Sequence, residues 1–198
     1  MRFMVAAAKI PVRMTVEEFL NWDSGDGLRW QLVDGEPQAM APANRTHGTL
    51  QGELAGRILN HLRDRQSPCS LVVTPGIVPR MLSRHNMRVP DLAVTCSTYE
   101  TEESALADPV LIVEILSPGN QADTWANVWT YTTIPSVQEI LVLRTDAIGA
   151  DLLRRRPDGT WPEQPDTIAE GELALESIGF RCELAEIYAT TRLRRSSS

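Results

Sequence analysis

Lysine is almost absent from this sequence of 198 residues: Lys9 is the only one, and the other 18 basic residues are arginine. A reaction that needs a lysine inside the fold has no candidate beyond this N-terminal residue. Cysteine and histidine are also scarce, with three of each, and neither type shows the spacing of a transition-metal site. Because Cys69, Cys96 and Cys182 lie far apart in apolar surroundings, we expect buried free thiols rather than a disulfide or a zinc site.

Long apolar runs are absent too, since none approaches the roughly 20 residues that a membrane-spanning helix needs. The apolar part of segment 1–9 is too short for a signal peptide, so we expect a cytoplasmic protein without a membrane partner. The net charge of −7 is uneven, at +3 over residues 1–90 and −10 over residues 91–198. This balance argues against a broad nucleic-acid-binding face, although it leaves room for a local basic patch.

Two predicted buried strands each carry a carboxylate. Residues 110–116 are apolar on both alternating faces, which is typical of a central strand covered on both sides. Glu114 lies inside this run, where burying an ionised carboxylate costs several kcal/mol unless a partner, a hydrogen bond or a metal compensates. Asp91 lies at the mouth of a second apolar run, 87–96. Two such strands side by side can bind a hard cation through oxygen ligands; a structural ion pair for Glu114 is the alternative.

The helices are predicted from capping residues and apolar spacing. Residues 15–18 form a capping box that opens a short helix. A long amphipathic helix follows Asn44 or Thr46 as its cap, with apolar residues at helical spacing through Leu62. His47 lies in the first turn of that helix, where a cap or surface role is favoured over chemistry.

A third helix is predicted over residues 121–133, after the Glu114 strand. Asp123, Asn127 and Tyr131 are four residues apart and share one face. That face looks into the carboxylate site if the helix packs beside the mouth of the strand. With no internal repeat and no linker, the chain is predicted to be one domain over 15–190, preceded by an extension over 1–14 and followed by a disordered tail over 191–198.

A set of short motifs occurs in order along the chain: Asp34-Gly35-Glu36 in a hairpin, the helix from His47, Val89-Pro90-Asp91-Leu92, Val113-Glu114-Ile115-Leu116-Ser117-Pro118, Asp123, Tyr131 and Val137-Gln138-Glu139. The set resembles the Uma-two family of restriction-endonuclease-like proteins, a branch of the PD-(D/E)XK nuclease superfamily, from about Thr15 to Tyr188. The resemblance implies an α/β (α+β) fold in which helices flank a mixed central sheet, as in restriction endonucleases.

The resemblance also implies roles for single residues. Asp91 matches the superfamily's motif aspartate and Glu114 its second acidic residue, so both would bind Mg²⁺ or Mn²⁺, with the backbone carbonyl of Ile115 as another ligand. Tyr131 would contact phosphate or support the site. The implied activity is metal-dependent hydrolysis of DNA phosphodiester bonds.

Two positions, Asn127 and Gln31, depart from the family pattern. Leu116 lies where many superfamily members have lysine, and Asn127 lies where this family places a lysine on the following helix. An asparagine can hydrogen-bond a water but cannot take its proton, and losing a positioned acid–base group costs about 10²–10⁴ in rate. Gln31 lies where the family usually shows glutamate. Asn127 and Gln31 would then orient water in an enzyme; the alternative is a nuclease fold that no longer cleaves or keeps its metal, serving as a homodimeric binding or assembly module.

Overall fold

A computed structural model describes residues 13–98 and 104–195 of the chain. Lys9 and nearly all of the predicted N-terminal extension lie outside the described residues, as do residues 196–198. The elements, in chain order, are α1 (Val16–Leu20), β1 (Trp30–Val33), β2 (Glu36–Ala39), α2 (Arg45–Asp64), β3 (Ser70–Val73), β4 (Leu92–Thr95), β5 (Pro109–Leu116), α3 (Gln121–Tyr131), β6 (Glu139–Arg144), β7 (Ala150–Arg154), β8 (Asp166–Ile168), β9 (Glu172–Leu175), a 3-10 turn (Glu176–Ile178), β10 (Phe180–Glu183), α4 (Leu184–Ile187) and α5 (Arg192–Arg195).

Six strands form a mixed central sheet in the order β3-β4-β5-β6-β7-β8, as predicted. Neighbours pair antiparallel except β5 and β6, which run parallel and are joined by the crossover helix α3. Because β5 has helices over both faces of the sheet, its side chains alternate between two apolar clusters, one that includes α2 and one that includes α3. The start of β4 and the end of β5 therefore lie side by side, next to the first turns of α2 and α3.

Helix α2 follows the predicted pattern closely. The Asn44 side chain accepts a hydrogen bond of 2.9 Å from the backbone N–H of His47, which caps the first turn. Its buried residues recur at i, i+4, i+8 and i+12 and face the sheet: Leu50, Leu54, Ile58 and Leu62. This cap and this stripe fix both the starting point of the helix and its rotation over the sheet.

The hairpin of β1 and β2 forms its own two-stranded sheet, with a turn at Asp34 and Gly35, both in the left-handed region. It is attached to the segment that leads into β4. Leu32 and Met87 exchange backbone hydrogen bonds of 2.8 and 3.0 Å, and the buried Asn86 bonds Asp34 through both its amide oxygen and its amide nitrogen. The hairpin is thereby held beside the site rather than at the edge of the main sheet.

The expectation of free thiols is wrong for two of the three cysteines, because Cys69 and Cys96 form a disulfide. The antiparallel register that pairs Ser70 with Thr95 continues outward to this pair, so 27 residues of sequence separate two side chains that are cross-strand neighbours. Cys182 is free, and partial burial raises the pKa of its thiol to about 11.

Residues 191–195, at the start of the predicted tail, belong to the described part of the chain. The hydroxyl of the buried Thr191 donates a hydrogen bond of 2.7 Å to the carbonyl of Tyr188, and residues 192–195 form α5. These local bonds give the segment an ordered conformation that its polar composition alone does not indicate. Within the described ranges, no helix is both long enough and apolar enough to cross a membrane.

Candidate active site

Two carboxylates meet at the end of the central sheet. The register that pairs Leu92 of β4 with Val113 of β5 continues to Asp91 and Glu114, which places these residues across from each other on neighbouring strands. Glu114 is only 8% exposed. Burial raises the pKa of Glu114 well above its ordinary value, and the nearby charge of Asp91 raises it further. The carboxylates of Asp91 and Glu114 therefore repel each other unless a bound cation or a proton offsets their charge.

Asp91 is held in a fixed orientation by three neighbours. Its Oδ2 accepts a hydrogen bond of 2.7 Å from the backbone N–H of Ile115, and its Oδ1 lies 2.7 Å from Nε2 of His47. The side chain of Gln51 donates to its backbone carbonyl at 2.9 Å. Ile115 thus contacts the motif aspartate through its N–H, and a ligand role for its carbonyl stays a prediction.

His47 was assigned by the sequence to a cap or the surface, and the structure places it in the site instead. Its backbone does take part in the cap of α2, but its ring is only 14% exposed, with Nδ1 lying 3.4 Å from the hydroxyl of Ser117. The ring therefore bridges Asp91 and the end of β5. The only signal in the sequence was the position of His47 at the start of a motif helix, which does not say where a ring points.

Tyr131 reaches the same site from α3. Its hydroxyl donates a hydrogen bond of 2.9 Å to Oε1 of Glu114, and its ring is fully buried. Burial and then the charge of Glu114 raise the pKa of Tyr131 well above its ordinary value, so the hydroxyl keeps its proton and remains a donor. This bond partly opposes the raised pKa of Glu114 because it favours the ionised carboxylate.

The two residues predicted to depart from the family pattern contact each other. Asn127 lies one helical turn before Tyr131, and its Nδ2 donates to Oε1 of Gln31 at 3.4 Å. Gln31 comes from β1, so this contact joins the hairpin to α3. The structure thus brings Asp91, Glu114 and Tyr131 together and, in a separate contact, Gln31 and Asn127.

A buried arginine, Arg88, lies near Tyr131 and was not predicted as a site residue. Arg88 is 6% exposed, and its Nε is buried without an acceptor. Burial lowers the pKa of Arg88, while nearby Tyr131 and Asp34 oppose that shift. An arginine in such a position still remains protonated at physiological pH. Nothing in the sequence distinguishes this arginine from the 17 others.

The donor set suits a hard cation better than a transition metal. Asp91 and Glu114 supply carboxylate oxygens, and nearby backbone carbonyls are ligands of the same hard type. Across residues 13–98 and 104–195, no three or more His, Cys, Asp or Glu side chains are grouped as a metal site. Mg²⁺ accepts such a sparse protein shell because it keeps several waters and is bound through one or two carboxylates. The residues present therefore fit Mg²⁺ or Mn²⁺ held by two carboxylates, with water and substrate oxygens completing its shell.

Tyr131→Phe is expected to destabilise the protein by about 1–3 kcal/mol, because it leaves the buried carboxylate of Glu114 without its hydrogen-bond donor. The loss should be largest at a pH where Glu114 is ionised, and urea unfolding at two pH values measures it. Tyr99 lies outside the described residues, so Tyr188→Phe serves as the comparison. The hydroxyl of Tyr188 donates hydrogen bonds to two backbone carbonyls and to no carboxylate. An equal pH dependence in the two variants would contradict the assigned bond.

Comparisons with known proteins identify the family and the fold of the chain. The model of the Uma2 family, described as "putative restriction endonuclease", matches residues 16–185. The uncharacterized protein slr1290 from Synechocystis sp. is 26% identical over 178 residues, which cover 89% of this chain and 92% of that protein. A crystal structure from Anabaena variabilis, described as a "putative nuclease belonging to DUF820", superposes with a TM-score of 0.72 at 17% identity. That match covers 89% of this chain and 98% of the other, and it shows the fold.

Proposed function

The chain belongs to the Uma2 family of restriction-endonuclease-like proteins, and we propose that it is a divalent-metal-dependent endonuclease that hydrolyses phosphodiester bonds of DNA. One observation carries the metal dependence. Glu114 is buried across from Asp91, and its side chain has a tyrosine hydroxyl as partner rather than an arginine. Two carboxylates in this position raise the free energy of the fold unless a cation offsets their charge.

In the proposed reaction, Asp91 and Glu114 hold Mg²⁺ or Mn²⁺, with the carbonyl of Ile115 as a further ligand. When bound, the metal polarises the phosphate and lowers the pKa of water. His47 and the N–H of Ile115 fix the orientation of Asp91, and Tyr131 fixes that of Glu114.

The amides of Asn127 and Gln31 can hydrogen-bond an attacking water but cannot accept its proton. Because the family position for lysine holds Asn127, turnover is expected to be slow, by about 10²–10⁴ relative to a site with a positioned acid–base group. This contact between two uncharged amides also favours a second candidate function: a nuclease fold that binds nucleic acid or assembles without cleaving it. For both functions we propose a homodimer, since a two-fold arrangement presents one site to each strand of a duplex.

Supercoiled plasmid should be nicked by the wild-type protein with Mg²⁺ or Mn²⁺, and not in EDTA or by Asp91→Asn. That variant should also lose Mn²⁺ binding in calorimetry, because it removes a carboxylate from the cation site. Asp64→Asn, at the exposed end of α2, is the matched control and should behave as wild type.

Nicking that persists in Asp91→Asn comes from contamination and would reject the endonuclease. Wild-type protein that binds Mn²⁺ but never nicks DNA would support the second candidate function instead. Equal Mn²⁺ binding by wild type and Asp91→Asn would remove the ligand assignment itself.

A further inference from the structure

Arg88 is unlike the other charged residues that the described ranges bury. The buried acids Glu139 and Asp151 are each paired with an arginine, at 2.8 and 2.7 Å. The Arg88 side chain donates no hydrogen bond to any described residue, and its Nε is buried without an acceptor. Burying a charge without a partner costs several kcal/mol, so such an arrangement needs a compensating ligand or function.

Arg88 lies near Tyr131, because its backbone pairs with Ile77, whose side chain belongs to the same apolar cluster as Tyr131. Its charge acts on Tyr131, whose hydroxyl donates to Glu114, so one tyrosine separates the buried cation from the buried acid. Its backbone is fixed, because Arg88 and Ile77 exchange two hydrogen bonds of 2.8 Å. The side chain therefore starts from a fixed point three residues before Asp91.

A structural ion pair does not account for this cation. The charge of Asp34 acts on Arg88, but Asp34 is exposed and its Oδ1 accepts a hydrogen bond from the amide of Asn86. No acid of the described residues forms an ion pair with Arg88. The Nε atom is buried without an acceptor, and neither Nη atom donates a hydrogen bond to a described residue, so the guanidinium keeps its donors for a ligand.

We propose that Arg88 is a phosphate-binding residue whose Nη atoms bind an oxygen of a substrate phosphate next to the metal-binding carboxylates. The ligand class rests on the proposed function, while the anion-binding role rests on the unpaired guanidinium. A phosphodiester accompanied by Mg²⁺ satisfies both halves of the site at once, since the cation offsets the carboxylates and the phosphate pairs with the arginine. Guanidinium groups suit this task because they bind phosphate oxygens in a planar, bidentate geometry.

Arg88 would supply only one of the two chemical roles that a lysine at this site would have. A lysine can supply positive charge and can also exchange a proton, whereas an arginine stays protonated and supplies charge alone. Arg88 therefore restores electrostatic attraction for the phosphate but not proton transfer. The site is expected to bind its substrate well and to turn it over slowly.

Arg88→Met separates binding from folding. Removing an unpaired buried charge while keeping the volume should raise Tm by roughly 2–8 °C. The same change should weaken binding of a fluorescein-labelled DNA duplex, measured by anisotropy with Ca²⁺ in place of Mg²⁺, by roughly 10–100-fold. The slope of log affinity against log salt should fall by about one, as for the loss of one phosphate contact.

The matched control is Arg84→Met, which removes an exposed arginine four residues earlier and should change affinity by less than about two-fold. Arg88→Lys should keep most of the salt slope and lose part of the affinity, because it retains a point charge without the planar fork. Wild-type binding by Arg88→Met, a fall in its Tm, or the absence of any duplex binding by wild type would overturn the proposal.

Plasmid cleavage, assayed separately, distinguishes this inference from the proposed function. Duplex binding that depends on Arg88 without any cleavage by wild type would support the phosphate site and reject the endonuclease. Cleavage by wild type together with unchanged binding and cleavage by Arg88→Met would support the endonuclease and reject the phosphate site.

Discussion

Glu114→Gln is expected to abolish metal-dependent DNA cleavage and, in the absence of metal, to stabilise the fold. Replacing one of the two proposed carboxylate ligands would remove several kcal/mol of transition-state stabilisation by the metal, which corresponds to a rate loss of roughly 10³-fold or more. The amide keeps the size of the side chain and can still accept the hydrogen bond of Tyr131. The variant therefore loses charge with little change in packing.

The stability effect depends on pH in a defined direction. Burial and Asp91 raise the pKa of Glu114 in the folded state above that in the unfolded chain. Between those two pKa values the folded state binds more protons, so the stability that Glu114 contributes is fully present below the unfolded pKa and is lost as pH rises through the folded one. The glutamine variant does not titrate, and its advantage over wild type should grow across that window.

Urea unfolding in EDTA from about pH 4.5 to about pH 8 measures this difference, and plasmid nicking in Mg²⁺ measures the activity. Glu163→Gln, an exposed glutamate, is the control and should match wild type in both assays. Equal nicking by Glu114→Gln would exclude a ligand role for this residue. A variant that is less stable than wild type at the alkaline end would mean that Glu114 has a stabilising partner in the folded state.

Asn127→Lys is expected to raise the rate of cleavage by about 10²–10⁴, the range that a positioned acid–base group supplies. Residue 127 lies one helical turn from Tyr131 and contacts Gln31, so a lysine there reaches the edge of the site. The variant thus restores the residue that the family pattern places at this position.

Gln31→Glu completes the comparison, because it restores the acidic partner across the same contact. The double variant should be more active than the single effects predict, since a lysine and a glutamate in contact orient each other. Ala126→Lys adds the same charge to the exposed side of α3 and controls for simple attraction of DNA. A rate that rises equally for Ala126→Lys and Asn127→Lys would show that the gain comes from net charge alone.

The elements of the fold were predictable where a local pattern determines them. The apolar run around Glu114 required a central strand, and the cap at Asn44 with its apolar stripe required a helix. The spacing of Asn127 and Tyr131 placed both on one face of α3, and the structure brings that face to the site. These predictions rest on repeats of two and about four residues, which the chain carries within each element.

The missed features all depend on pairs far apart in the sequence. The disulfide joins residues that become neighbours only through the register of β3 and β4, and His47 meets Asp91 across 44 positions. Arg88 resembles any arginine until its burial and its lack of a partner are known. Neither periodicity nor composition contains this information, because it arises from how the elements pack.

The segment 86–91 has a further consequence for changes in chain length. Each contact of this segment depends on its exact spacing. Asn86 hydrogen-bonds to the hairpin turn, and the backbone of Met87 hydrogen-bonds to β1. The backbone of Arg88 hydrogen-bonds to Ile77, and Asp91 lies across from Glu114. One inserted or deleted residue would shift every later member of this series to the opposite side of an extended chain. Length changes should therefore be tolerated in exposed loops such as 23–27 and 157–160 but not within segment 86–91. In insertion scanning, insertions within this segment should abolish folding or function.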